Sequence, residues 1–220
     1  MDRVTQESPS HQGDCFLCNP SHDLVFLDNQ GFVALAGLGP IVEGYSLIAA
    51  KAHVTSMADI PAESHSARDA FVNLVRSRLS NQYGSCLITE HGRMGICVDN
   101  TDGLDAHCLH AHFLLFPGAS DISELAGSYF GKSEAFGDLA TALAQARHSE
   151  EYVLVSPSPT QVSVFSKPLN VPRQLARYLV AHDSKAMHLA DWRSHPNLDK
   201  ARSIAGVLRP LFQTAGATHV

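Results

Sequence analysis

Between Leu109 and Gly118 the chain reads Leu-His-Ala-His-Phe-Leu-Leu-Phe-Pro-Gly, an apolar run that carries two imidazoles and is stopped by Pro117. On extended backbone the side chains alternate, so His110, His112 and Leu114 share one face while Ala111, Phe113 and Leu115 share the other. Two polar rings about 7 Å apart in so apolar a strand each need a partner. One metal ligand beside one nucleophile would satisfy both.

The text around this strand predicts an α+β domain on an antiparallel sheet. Leu24–Ala36 reads as two short strands about an Asp-Asn-Gln-Gly turn, and a third strand over Tyr45–Ala50 delivers the chain to Lys51 and His53. Apolar residues at Ala67, Phe71, Leu74, Val75 and Leu79 predict a helix from about 62 to 82, ended by Gly84. A strand over Ser85–Glu90 and a Gly- and Asp-rich loop then lead to the histidine strand. Beyond Pro117 helices are expected over 121–130 and 133–148, a hairpin over 152–155 and 162–165, and helices after Pro172 and over 198–212. The expected organisation is a flexible tail (1–13), a catalytic domain (14–120) and a mostly helical C-terminal extension (121–220) packed on it.

Composition narrows the partners. Lys+Arg 16 against Asp+Glu 22 gives a net charge of −6, which argues against a nucleic-acid or anionic-membrane binder. No apolar run approaches the roughly 20 residues of a membrane span, and the first residues lack the basic-then-apolar layout of a secretory signal, so a cytoplasmic location is expected. Five cysteines, an odd number, read as thiols or metal ligands and not as a disulfide framework.

Cys15-Phe-Leu-Cys18 is a C-x2-C pair able to hold one ion, most often zinc. A closed site needs two more ligands, and His53 together with His107, His110 and His112 supplies the candidates.

The string His110-Ala-His112-Phe-Leu114-Leu-Phe-Pro117 resembles the signature of the histidine triad superfamily, His-x-His-x-His-x-x-Pro. Counting back from Pro117 puts Leu114 at the third triad position, His112 at the middle and His110 at the first. A register on Cys108, His110 and His112 would leave Pro117 two residues too late. Other pieces occur in the family's order over about residues 15–117: the C-x2-C pair, the opening hairpin, Gly-Tyr-Ser-Leu-Ile-Ala-Ala-Lys51-Ala-His53, and Thr89-Glu90-His91-Gly92. The last is similar to relatives close to galactose-1-phosphate uridylyltransferase and the dinucleoside polyphosphate hydrolases, and Pro172–Arg177 is similar to the tail of some bacterial members.

The resemblance implies a five-stranded antiparallel sheet flanked by helices, commonly doubled in a homodimer, and an enzyme acting on a nucleotide or nucleotide conjugate. His112 would be the nucleophile, forming a nucleotidyl-histidine that water or a second acceptor resolves. His110 would join Cys15, Cys18 and His53 around a structural Zn2+. The family's histidine or glutamine is here Leu114, which cannot donate a hydrogen bond. His91 or His107 is the candidate to replace it, or else the chain is a nucleotide-binding protein without turnover. Lys51, Glu90, Arg93, Arg173 and Gln174 are the expected substrate contacts, the last two at a helix N-terminus that favours anions. Trp192 is a candidate stacking residue.

Overall fold

The computed structural model describes residues 15–94, 109–166 and 171–213. Eight strands form one antiparallel sheet in the order β1-β2-β3-β5-β4-β7-β8-β6. They are β1 (Val25–Asp28), β2 (Phe32–Ala36), β3 (Ser46–Ala50), β4 (Cys86–Gly92), β5 (His112–Pro117), β6 (Glu134–Phe136), β7 (Tyr152–Ser158) and β8 (Gln161–Ser166). Five helices accompany them: α1 (His65–Tyr83), α2 (Ser123–Phe130), α3 (Leu139–Ala146), α4 (Leu175–Asp183) and α5 (Leu198–Gln213). The architecture is thus α+β, an antiparallel sheet flanked by helices.

The resemblance implies five strands, and five do lie between Val25 and Pro117. The sheet continues past them because β7 pairs along β4 from Gly92↔Tyr152 to Ile88↔Ser156, and β8 and β6 follow. Residues after 120 therefore add strands to the same sheet as well as helices. One predicted helix is shorter than expected. Of residues 133–148, Glu134–Phe136 pairs with β8 as a strand, and the helix begins only where Asp138 accepts from the Thr141 N–H at 2.7 Å.

Paired residues in an antiparallel ladder share a face. Ala49 lies opposite His112 and Thr89 opposite Leu114, so these four, with His91 two residues beyond Thr89, project from one side. Ile88, Glu90, Leu154 and Ser156 project from the other. Helix α1 covers this second face, its Phe71 ring 5.9 Å from Phe32 and its Arg76 donating to the Ser156 side chain and carbonyl at 3.0 and 2.7 Å. The stripe differs from its sequence expectation. Ala67 and Leu74 are exposed, while Arg68 and Arg76 are buried beside Phe71, Val72, Val75 and Leu79. Buried guanidinium groups are tolerated because carbonyl and hydroxyl oxygens meet them.

The first face is roofed from the C-terminal side. Phe130 of α2 packs on Phe165 and Phe212 of α5 on Phe26, while α4 reaches β4 through its first turn. One side chain holds α4 in place. Arg177, 2% exposed, donates to the carbonyls of Leu38, Gly39, Leu189 and Ala190 at 2.6–3.3 Å and lies over the Tyr45 ring. Gly39, at φ 62, permits this approach, since a Cβ there would meet the Arg177 Nη2 at 3.0 Å. Arg177→Leu would leave several buried carbonyls without donors. It should cost about 3 kcal/mol or more, seen as a fall of roughly 10 °C in Tm.

Candidate metal and nucleophile site

The metal cluster starts from a tight turn in which the Cys18 N–H donates to the Cys15 carbonyl at 3.1 Å, bringing both sulfurs to one side. Residues 51–53 leave β3, and His110 immediately precedes β5, the neighbour of β3. The ligand atoms of Cys15, Cys18, His53 and His110 all lie within 4.8 Å of one another. His110 Nδ1 is 3.4 Å from the Cys15 sulfur and 3.5 Å from the Cys18 sulfur, and His53 Nδ1 is 3.1 Å from the Cys18 sulfur. Tetrahedral bonds of about 2.3 Å to sulfur and 2.0 Å to nitrogen would place neighbouring S and N about 3.5 Å apart. The group is therefore able to hold a metal ion.

The tautomer of His110 fits the same role. Its Nε2 lies 2.6 Å from the Ala50 carbonyl, which can only accept, so Nε2 carries the proton and Nδ1 turns its lone pair to the sulfurs. Burial and the neighbouring Cys15 push the Cys18 thiol up to about 11. A cation would supply the charge that ionises this pair, and its uptake would release protons.

His112 differs from the sequence expectation in its relation to His110. His110 is not part of the strand, and its ring turns to the cysteines while its carbonyl accepts the Nδ1–H of His112 at 2.6 Å. That bond fixes the tautomer, leaving the Nε2 lone pair of His112 without a proton. Burial holds the ring below the usual histidine range. A neutral imidazole oriented from behind is suited to attack an electrophile.

His91 stands on the same face. Burial, and next the charge of His112, press it down to about 3, so it is neutral, and its Nε2 accepts the N–H of Ala176 at 3.0 Å. Gln174 makes no side-chain cap for α4, being itself left-handed at φ 52. Its amide instead donates to Asp191 at 2.8 Å and its oxygen accepts from the Trp192 N–H at 3.3 Å. His91 thus caps α4 from across the fold. Leu114 is buried opposite Thr89, whose hydroxyl has no hydrogen-bond partner among the described residues.

The expected substrate contacts scatter. Lys51 pairs with Asp28 at 2.5 Å on the surface, and Arg173 is exposed just before α4. Arg93 grips both oxygens of Asp59 and donates to the carbonyls of Ala146 and Ser149. Glu90 faces away from His112, 1% exposed, accepting from the Met57 N–H at 2.6 Å and the Tyr152 hydroxyl at 2.5 Å. Trp192 is half-buried, with the Arg193 guanidinium over its ring. His107 lies outside the described residues, as do Cys97 and Cys108.

Sequence reading misses Ser56 and Tyr152, which complete the Glu90 network with a 2.6 Å hydroxyl pair. Gly92 is the local trace of it, since a Cβ there would meet the Tyr152 ring at 2.0 Å. Burial pushes the Glu90 carboxyl up to about 7 against these hydrogen bonds. Because the folded state holds this proton more tightly, the contribution is full below the unfolded value near 4.5 and disappears as pH rises through about 7. A shift of this size corresponds to about 3 kcal/mol. His91 acts in the opposite sense, its stability contribution falling as pH drops from 6.5 toward about 3. Glu90→Gln removes only the first effect. Denaturant titrations at pH 4.5 and 7.5 should therefore show the variant gaining about 3 kcal/mol on the wild type at the higher pH.

No known family profile and no curated protein matches the chain. Among solved structures, similar chains include a HIT-like protein involved in cell-cycle regulation from Bartonella henselae, at 13% identity and TM-score 0.35, over 46% of this chain and 72% of that one. A hypothetical histidine triad nucleotide-binding protein from Sulfolobus tokodaii is 16% identical at TM-score 0.33, over 43% and 59%. A Zn-bound histidine triad family protein from Mycobacterium smegmatis is 17% identical at TM-score 0.35, over 48% and 76%. Among the described residues no helix is long and apolar enough to cross a membrane.

Proposed function

We propose that this chain is a zinc-bearing histidine triad protein of the branch related to galactose-1-phosphate uridylyltransferase and the dinucleoside polyphosphate hydrolases. It cleaves a phosphoanhydride, phosphoester or phosphoramidate of a nucleoside monophosphate, with hydrolysis favoured over transfer. The carrying observation is the Nδ1–H of His112 on the His110 carbonyl, which aims an unprotonated Nε2 from the sheet face.

In the first step Nε2 of His112 attacks the α-phosphorus, forming a P–N bond as the bond to the leaving group breaks. The leaving group departs with the electron pair and takes up a proton. The His110 carbonyl stabilises the imidazolium through the Nδ1–H, and water then displaces the histidine to release the nucleoside monophosphate. Two N and two S donors suit Zn2+ better than the oxygen-seeking Ca2+ or Mg2+. Held by Cys15, Cys18, His53 and His110 in a closed site, Zn2+ would be structural, fixing the backbone that carries the His110 carbonyl. The first turn of α4, tied to His91 through Ala176, and the exposed Arg173 would meet substrate phosphate.

Leu114, buried where a donor is expected, favours a second reading, a nucleotide-binding protein without turnover. Both are tested on the purified chain with dinucleoside polyphosphates, nucleotide sugars and nucleoside phosphoramidates, followed by an acid-sparing quench and intact-mass measurement. Product and a nucleotidyl adduct support the catalytic reading. Calorimetric binding with neither product nor adduct supports the second, and no binding of any conjugate overturns both.

A further inference from the structure

On the α1 side of the sheet, away from His112, a cavity of about 290 Å3 opens between α1, the turn at Met57–Asp59 and α3. Its size lies just below the roughly 300 to 1,000 Å3 of drug-sized sites, which leaves room for a smaller molecule. The chemistry of its wall is one-sided. Arg68, Arg147, His65 and His148 line it, none of its eight lining residues is acidic, and the remaining wall is alanine and Leu143.

Arg68 is the anchor of this wall and is 2% exposed. Its Nε and Nη2 face one oxygen of Asp69, both at 2.8 Å, and its Nη1 donates to the Met57 carbonyl at 3.1 Å. A guanidinium has five N–H groups, so two are left without an acceptor among the described residues, in a buried group at the cavity edge. Arg147, at the exposed end of α3, has no carboxylate partner among the described residues, and the Nε2 of His65 is engaged by the Ile60 carbonyl. Unused donors on a buried guanidinium, a second arginine at the rim and apolar walls between them are the features of an oxyanion site with room for a short hydrocarbon body.

We propose that this cavity is a second binding site, for a small organic anion whose carboxylate or phosphate head meets Arg68 and Arg147 while its body rests on Leu143 and the alanines. The site is independent of the chemistry at His112.

The test uses the full chain with labelled alanine and leucine methyls, titrated in low salt with butyrate, phenyl phosphate and inorganic phosphate. Saturable shifts of the Leu143 and Ala144 methyls are expected, stronger for at least one organic anion than for inorganic phosphate. Which organic head wins distinguishes carboxylate from phosphate. Arg147→Glu should weaken binding about tenfold or more, and Ala144→Trp, a change at an exposed helical position, should block it by filling the space. His112→Asn should leave these shifts intact, separating the cavity from any phosphate binding on the other face. The absence of a saturable shift, or shifts unaltered by Arg147→Glu, would overturn the site. Inorganic phosphate binding as tightly as both organic anions would overturn the role of the apolar wall.

Discussion

Turnover should fall by at least about 10³-fold when His112 is replaced by asparagine, with the fold and metal content retained. Asparagine keeps a polar group near the His110 carbonyl and so preserves the hydrogen bond that orients the site. It removes the group that the proposed first step requires, an unprotonated ring nitrogen able to bond phosphorus. Removal of a covalent nucleophile acts on the transition state, so kcat and kcat/KM should fall together while binding of an unreactive nucleotide analogue stays within a few fold. Intact mass should show the nucleotidyl adduct on the wild type alone. A variant that turns over at the wild-type rate would remove His112 from the mechanism.

Loss of the proposed zinc should be nearly as damaging, through stability and not through chemistry. The four ligands join three separate stretches of chain: the turn at Cys15, the exit from β3, and the entry to β5. Cys18→Ser should abolish near-stoichiometric zinc and lower Tm by about 10 °C or more, as should a strong chelator. In a chain of this size that fall corresponds to about 3–5 kcal/mol. The loss is smaller than for an isolated zinc finger because the ligand-bearing segments pack on an extensive hydrophobic core. Since cysteine deprotonation accompanies metal uptake, affinity should drop as pH falls, read by zinc competition between pH 8 and 6. Full Tm in metal-free protein would show that the Cys15 turn is held by packing alone.

Local chemistry made much of this molecule legible. The hairpin at Asn29–Gly31, the strand stopped at Pro117, the helix ended by Gly84 and the pair Tyr152/Val162 all follow from alternation and turn residues acting over a few positions. The metal group was legible for a related reason. Cysteine and histidine lie in a small set of spacings, and the structure brings together Cys15, Cys18, His53 and His110 as the resemblance implies.

What sequence could not decide was the direction and partner of each polar side chain. Glu90 and His91 are adjacent, yet alternation on β4 sends one beneath the sheet to Tyr152 and the other above it to Ala176. As text, Glu90 reads as a substrate contact and His91 as a candidate to replace the donor missing at Leu114. Arg68, Arg76 and Arg177 interrupt the apolar patterns of their helices, yet each is buried and meets an oxygen contributed from 11, 80 and 139 positions away, respectively. Spacing along the chain determined which residue types could meet, because local geometry is short-ranged. Only the tertiary structure decided which of them share the face of His112, because burial and hydrogen-bond partners are set by strands and helices far apart in sequence.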